Sequence, residues 1–323
     1  MSEFAFNSVV VLGATGQIGR ALVPELVRRK VRVRCVSRSD EHLRKAFGSQ
    51  PVECVAADLC AQDEAVRAVE GRDVAICCVG FPLSQFSAHA TLAARLGQAM
   101  KQTKVRLVLV TSLWSYSPVK FNPVSEAHPR SPTSDLAAVR RQEEDELMGL
   151  GACVLATPDL FGPGAGTARG LSTGSSMLNA ALGRAANGKS VRYLGDPDVR
   201  REFMYLPDLP RVIAEVGAGP GAYGRRWNIA GSGPIEPRKL LEQAAGLGGK
   251  PLACKPVTKF ELGVAGVLDG EARMFKDILP HYQEPAWVDG SKLKRALGGY
   301  YTTPYSDAVE QTVRWLREGS GER

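Results

Sequence analysis

From Val9 onward the chain alternates short apolar runs with amphipathic stretches, and the first junction between them reads Gly13-Ala-Thr-Gly16-Gln-Ile-Gly19. A strand-like run followed by a helix-like stretch, repeated, builds a parallel sheet whose crossover helices cover both faces. The apolar runs predict strands at residues 9–12, 31–37, 52–56, 74–79, 106–111 and 153–156. Between them, apolar residues recur every three or four positions over 18–29, 65–69, 88–100 and 134–150, which predicts helices. Pro24 lies inside the first of these and is expected to kink it. The predicted fold class is α/β: a doubly wound parallel sheet.

The glycine turn adds chemistry to that architecture. Glycines let the backbone turn sharply and approach a pyrophosphate, whose charge is stabilised by the unpaired N–H groups of the helix N-terminus. A glycine-rich turn with no ligand is the plain alternative. Here a strand precedes the turn, a helix follows it, and a second strand ends about 20 residues on, the context of a dinucleotide site in a Rossmann sheet. The turn would contribute Gly13, Thr15, Gly16, Gln17, Ile18 and Gly19 to the cofactor.

At the end of the second strand an NAD site normally presents Asp or Glu to the ribose hydroxyls. This chain reads Val36-Ser37-Arg38-Ser39-Asp40 there. A hydroxyl beside a planar, permanently charged guanidinium suits a 2′-phosphate, so Ser37 and Arg38 favour NADP, with NAD the alternative if Asp40 reaches the ribose. Asp58 and Leu59 after the third strand are expected at the adenine edge, unless Asp58 simply caps a helix. Val79 and Gly80, closing the fourth strand, complete the expected cofactor wall.

Beyond Phe161 the character changes. Residues 162–176 are rich in Gly, Ser, Thr and Pro and predict a mobile loop between two lobes. Helices are predicted at 177–187, 207–216, 237–245 and 305–318. The expected organisation is a Rossmann domain over 1–161, a smaller mixed substrate-binding lobe over 162–323, and segments near 191–230 returning to the first domain.

The formal net charge of +7 admits nucleic acid, a membrane surface or an acidic small molecule as partner. Basic residues are not interleaved with aromatics in any run, and Arg28-Arg29-Lys30 reads as a helix C-terminus, so nucleic acid is not expected. No apolar stretch approaches a membrane span, and the first eleven residues lack the pattern of a signal peptide, so a cytoplasmic protein is expected. Seven cysteines, an odd number without CxxC spacing, predict reduced thiols. His42, His89, His128 and His281 show no ligand spacing, so no metal is expected.

Four motifs in order resemble the extended short-chain dehydrogenase/reductase family, which contains nucleotide-sugar epimerases, dehydratases and related reductases. They are the turn at 13–19; Thr111-Ser112-Leu-Trp-Ser-Tyr116, similar to the family's Ser-Ser-x-x-x-Tyr; Phe161-Gly-Pro-Gly164, similar to its Tyr-Gly-Pro-Gly; and Arg201-Glu-Phe-Met-Tyr205-Leu-Pro-Asp208, similar to its Arg-Asp-Phe-x-x-Val-x-Asp. The resemblance implies an NAD(P)-dependent enzyme acting on a small-molecule substrate. It also suggests a homodimer paired through the helices at 88–100 and 134–150, although the second carries a dense charge set that suits water.

In that family a Tyr and a Lys four residues later perform acid/base work beside a Ser or Thr hydroxyl, while a hydride moves to or from nicotinamide. Ser112 matches the hydroxyl. Aligned on Glu144, the Tyr position holds Leu136 and the Lys position Arg140, and Ala156 stands where many members have Arg. Leu136 has no exchangeable proton, and Arg140 retains only hydrogen bonds toward a ribose. The expected catalytic set is therefore Ser112, Tyr116 and Arg140, with Tyr116 preferred over His128, Asp135 and Tyr205 as the substitute acid. His128 otherwise reads as an exposed loop histidine and Asp135 as a solvated helix-start charge.

On the substrate side the resemblance aligns Arg201 with an arginine that contacts the diphosphate of nucleotide sugars. Arg200 would add charge beside it, or the pair is merely solvated. Tyr116 and Tyr205 are also expected at the substrate, and Met177, Asn179, Phe203 and Trp227 either line the cleft or belong to the core. Three readings remain in view: an oxidoreductase or epimerase-like enzyme with a non-standard proton donor, a catalytically silent NADP(H)-binding sensor, and a reaction that needs no phenol, such as reduction of an activated imine or alkene in which solvent or substrate supplies the proton.

Overall fold

A computed structural model describes residues 6–166, 176–268 and 270–319. The first half runs β1 (Ser8–Leu12), α1 (Gln17–Arg28), β2 (Arg32–Ser37), α2 (Asp40–Phe47), β3 (Glu53–Ala56), α3 (Glu64–Val69) and β4 (Val74–Cys77). It continues through α4 (Ala88–Thr103), β5 (Arg106–Ser112), α5 (Asp135–Gly149), β6 (Cys153–Thr157) and β7 (Asp159–Phe161). The second half runs α6 (Met177–Ala186), β8 (Val191–Leu194), β9 (Phe203–Tyr205), α7 (Leu209–Ala218), β10 (Arg226–Asn228) and α8 (Pro237–Leu247). It ends with β11 (Cys254–Val257), α9 (Lys259–Leu268), α10 (Gly270–Gln283), α11 (Ser291–Leu297) and α12 (Tyr305–Arg317).

Seven parallel strands form the main sheet in the order β10-β6-β5-β4-β1-β2-β3. Period-two alternation assigns each strand residue to one face. Val9 and Val11 pack with Leu22 and Leu26 of α1 and Val212 of α7, whereas Val10 and Leu12 pack with Leu92 and Leu96 of α4. Both faces are covered, which explains why the central strands β1 and β4 read as unbroken apolar runs. The strand order reverses between β1 and β4, so a crevice opens there beyond the C-terminal strand ends, the place where open α/β sheets bind ligands.

The six predicted strands are present, and β10 joins them as a seventh. It is only three residues long and contains Arg226 and Asn228, so its sequence carries no apolar run. Helix α2 was also not legible, because only Leu43 and Phe47 of its eight residues are buried. Helix α1 continues through Pro24, which lies on its exposed side. Of the expected returning segment, α7 and β10 join the main sheet layer, but β8 pairs with β11 in a separate two-stranded sheet. In the second lobe α6, α8 and α12 share a core built on Leu182, Leu241 and Val309. The expected mobile loop at 162–176 falls largely on residues 167–175, outside the described residues.

Helix α5 does not turn its charges uniformly to water. Glu143 and Glu144 are fully buried. Glu144 accepts from Thr111 Oγ1 at 2.8 Å, Arg130 Nη1 at 3.1 Å and Arg226 Nη2 at 2.6 Å, so its charge is paired and hydrogen-bonded as burial requires.

Candidate active site

One cleft of about 750 Å³ runs from the glycine turn, across the C-terminal ends of β4, β5 and β6, to β8 and α10. Its first end is made by the β1–α1 turn. Gly13 has φ +79°, and a Cβ there would lie 3.0 Å from Val79 N, so the turn and the end of β4 meet at a spacing only glycine permits. Gly16 begins α1 with no side-chain cap and no acid in the first turn, which leaves the helix N-terminus favourable to an anion. Thr15, Gly16, Gln17 and Ile18 line the cleft with Gly13. Gly19 does not: a Cβ there would be 2.5 Å from Ala14 O, so this glycine lets α1 pack against the turn.

Ser37 and Arg38 line the same end, followed by Asp58, Leu59, Val79 and Gly80. Asp40, the alternative ribose ligand, is not on this wall. It sits in the first turn of α2 with its carboxylate 2.5 Å from Arg44 Nε. Asp58 turns its carboxylate to the backbone N–H of Cys60 at 3.1 Å. A dinucleotide fits this end on two observations. A Cβ would fill the glycine cradle, and two buried polar atoms on residues of the wall, Gln17 Oε1 and Arg140 Nε, lack a protein partner.

In the middle of the cleft, Ser112 closes β5 in register with Thr157 of β6, and both line the wall. Arg140 reaches the wall from α5, held on its inner side. Its Nη1 donates to Glu143 Oε2 at 2.7 Å, and its guanidinium lies 5.1 Å from the Phe86 ring centroid. His89 completes this set with Nδ1 2.9 Å from Glu143 Oε1. Burial and the Arg140 charge lower the His89 pKa, so a neutral ring donates to the carboxylate. Burial pushes Glu143 up, but Arg140 and His89 outweigh it and hold it below the usual carboxylate range.

Leu136, one turn before Arg140, is buried in an apolar cluster with Leu83, Phe86, Leu194, Phe275 and Tyr282. Tyr116 does not replace the missing phenol in the cleft. It is fully buried beneath the wall, its hydroxyl donates to Asn228 Oδ1 at 2.9 Å, and the Arg226 guanidinium lies 5.4 Å from its ring centroid. Burial pushes its pKa up to about 12, opposite to the lowering an acid/base tyrosine needs. The hydroxyl of Tyr205 donates to Gln311 Oε1 at 2.9 Å, also away from the cleft. His128 is buried rather than exposed: Nδ1 is 2.7 Å from Pro129 O, and Nε2 accepts from the N–H of Lys120 at 3.0 Å, so both ring nitrogens tie the loop. Asp135 is an exposed first-turn charge, as expected.

Arg201 is likewise drawn inward. It is buried, its Nη1 donates to the carbonyls of His281 and Glu284, and its Nη2 lies 3.0 Å from His281 Nε2. Arg200 is exposed, with its guanidinium 5.6 Å from the Trp287 ring centroid. Met177 and Phe203 line the cleft, while Asn179 is buried in hydrogen bonds to Gly162 and Ala165, and Trp227 donates to Ala222 O.

Sequence reasoning missed Asp159. It begins β7, lines the cleft with Ser112 and Thr157, and lies 4.0 Å from Arg201. Burial raises its pKa, and the Arg201 charge offsets only part of that rise. Asp58 is the other carboxylate on the wall among the described residues, and it belongs to the opposite end. The neighbouring Phe161-Gly-Pro-Gly motif was a pointer to this segment, but nothing in it marked the aspartate two residues earlier.

A sheet of this order with a glycine-cradled cleft at its switch point defines a dinucleotide-binding α/β protein. The chain belongs to the NAD dependent epimerase/dehydratase family, whose model matches residues 9–230. No curated protein gives a significant sequence match. Among solved structures it is similar to the Bordetella bronchiseptica enzyme WbmH in complex with NAD⁺, at 18% identity and TM-score 0.75 over 98% of this chain and 100% of that one. It is similar to a dTDP-glucose 4,6-dehydratase from Bacillus anthracis in complex with NAD, at 15% identity and TM-score 0.78 over 97% of each chain. A UDP-glucose 4-epimerase from Thermotoga maritima, with UDP-glucose, matches at 17% identity and TM-score 0.75 over 96% and 99%. At these identities the likeness is one of fold. No helix among the described residues is long and apolar enough to cross a membrane, and no group of metal-ligating side chains is found among them.

Proposed function

We propose that this chain is an NADP(H)-dependent oxidoreductase acting on a small carbonyl compound or the corresponding alcohol, with Asp159 as its proton donor and acceptor. The observation that carries the cofactor reading is the pairing at the end of β2. Ser37 and Arg38 line the cleft, while Asp40, the carboxylate that would favour an unphosphorylated ribose, is tied to Arg44. A bound nicotinamide cofactor supplies or accepts the hydride. Ser112 orients the reacting oxygen, Arg140 is held by Glu143 to donate toward the ribose, and Asp159 passes its carboxyl proton to the oxygen as the alcohol forms.

The support for Asp159 is its position in the substrate half of the wall and a burial that favours its protonated form. A specific observation favours a second reading, a redox-responsive NADP(H)-binding protein without turnover. The Tyr position is sealed by the apolar packing of Leu136, and Arg140 is locked to Glu143.

Titration with NADPH and NADH tests the first step. Arg38→Ala should weaken NADPH by about tenfold or more, as expected for the loss of a charge-assisted bond, with little change for NADH. Equal losses for both would count against the phosphate role. Nicotinamide absorbance over a panel of carbonyl compounds then separates enzyme from sensor. Asp159→Asn should lower kcat by about 10²–10⁴-fold while leaving NADPH affinity intact. In the wild type, reduction should fall as pH rises through the raised Asp159 pKa, because the protonated form is the donor. A profile flat in that range removes Asp159 from the reaction.

A further inference from the structure

The substrate half of the cleft has a character that the family resemblance does not convey. A nucleotide sugar carries a diphosphate, and binding it requires cations with N–H groups to spare. The arginine aligned for that task, Arg201, has committed both terminal nitrogens to the carbonyls of His281 and Glu284 and to His281 Nε2, and its remaining Nε is buried. The ring of Tyr282 lies over it, 5.0 Å from centroid to guanidinium carbon, and it is Tyr282, not Arg201, that lines the cleft. Arg201 thus fixes the end of α10 to the start of β9.

Among the described residues two other arginines stand on this half, Arg184 bonded to the protein through Nε alone and Arg192 paired with a carboxylate. Arg184 Nε donates to Ser190 O at 2.6 Å. Arg192, at the mouth and 43% exposed, is paired with Glu261.

The wall between them is apolar. Leu83, Phe86, Trp114, Leu194, Phe275 and Tyr282 come from four separate segments and converge on the cleft. Behind them lies Leu136, so the position of the absent phenol continues the same apolar surface. A dianionic diphosphate placed against this wall would lose its hydration without compensation, whereas an apolar ring would gain by leaving water.

Resting on the NADP(H) reading above, we propose that the substrate is a neutral, largely apolar carbonyl compound of aromatic-ring size, and not a nucleotide sugar. The full-length protein, saturated with NADP⁺ so that no reduction occurs, is titrated calorimetrically with 2-naphthaldehyde and with UDP-glucose. Saturable binding of the aldehyde and none of UDP-glucose is expected. Phe275→Ala and Leu194→Asp should each weaken the aldehyde by about tenfold or more, in keeping with lost apolar contact, while NADP⁺ affinity is retained and reports an intact fold. Saturable UDP-glucose binding, absence of aldehyde binding, or aldehyde binding indifferent to both substitutions overturns the proposal. The same titrations on cofactor-free protein keep the two readings apart, since a failure of NADP⁺ to bind strikes the cofactor reading alone.

Discussion

Replacing Tyr116 with Phe removes a hydroxyl whose partner, Asn228 Oδ1, is itself buried; Asn228 Nδ2 meanwhile donates to Val124 O at 3.0 Å. The unpaired oxygen should cost about 1–3 kcal/mol of stability, read by urea denaturation, with cofactor affinity and any turnover unchanged. A loss of turnover without a loss of stability would restore Tyr116 to the chemistry. The residue scale is where sequence served least well in the substrate half. Ser112 and Arg140 do reach the cleft wall, because each follows from a strand end or a helix face that the periodicity already fixes. Tyr116, Tyr205 and Arg201 were expected at the substrate, yet each side chain is captured by a partner more than 75 residues away in the chain. Asp159 faces the cleft although no motif named it.

At the scale of elements, α5 carries two roles on one buried side. Glu143 holds Arg140 toward the cofactor end, and Glu144 closes a network joining β5, α5 and β10 through Thr111 and Arg226. Burial works against the Arg226 charge, and Glu144 outweighs it. Glu144→Ala should therefore cost about 3–5 kcal/mol, because it leaves Arg226 buried without its counter-charge. A thermal or chemical melt within error of wild type would show that water replaces the carboxylate. The element also shows a limit of periodicity: acidic residues on a helix read as its wet face unless their cationic partners are known, and Arg226 comes from β10, a strand the sequence did not reveal. The apolar strands β1, β4, β5 and β6 were legible for the opposite reason, since helices cover both of their faces.

For the whole molecule, alkaline pH should be the destabilising direction. Burial pushes the thiols of Cys35, Cys77 and Cys153 from 9.0 up to about 12, and the Tyr116 hydroxyl from 10.0 up to about 12. A raised folded-state pKa means that the unfolded chain loses its proton first. These groups therefore favour the folded state fully below pH 9, and that contribution declines toward pH 12, from pH 9 for the thiols and from pH 10 for Tyr116, by about 1.4 kcal/mol per pH unit for each group. Urea midpoints measured across that range should fall, and the slope should lessen in Cys77→Ala. A midpoint constant with pH would mean that these groups titrate alike in both states. The sequence by itself determined the parallel sheet, the glycine turn and the cofactor end of the cleft, because apolar runs, helical spacing and glycine's backbone freedom act within one strand–turn–helix unit. The tertiary structure alone decided the end of the cleft formed by β8 and α10. There the arrival of α10 and β10 from late in the chain withdraws Arg201 and Tyr116 into hydrogen bonds and leaves Asp159 on the cleft wall. Backbone position is local, but which way a polar side chain turns depends on the partner that satisfies it, and those partners lie far along the chain.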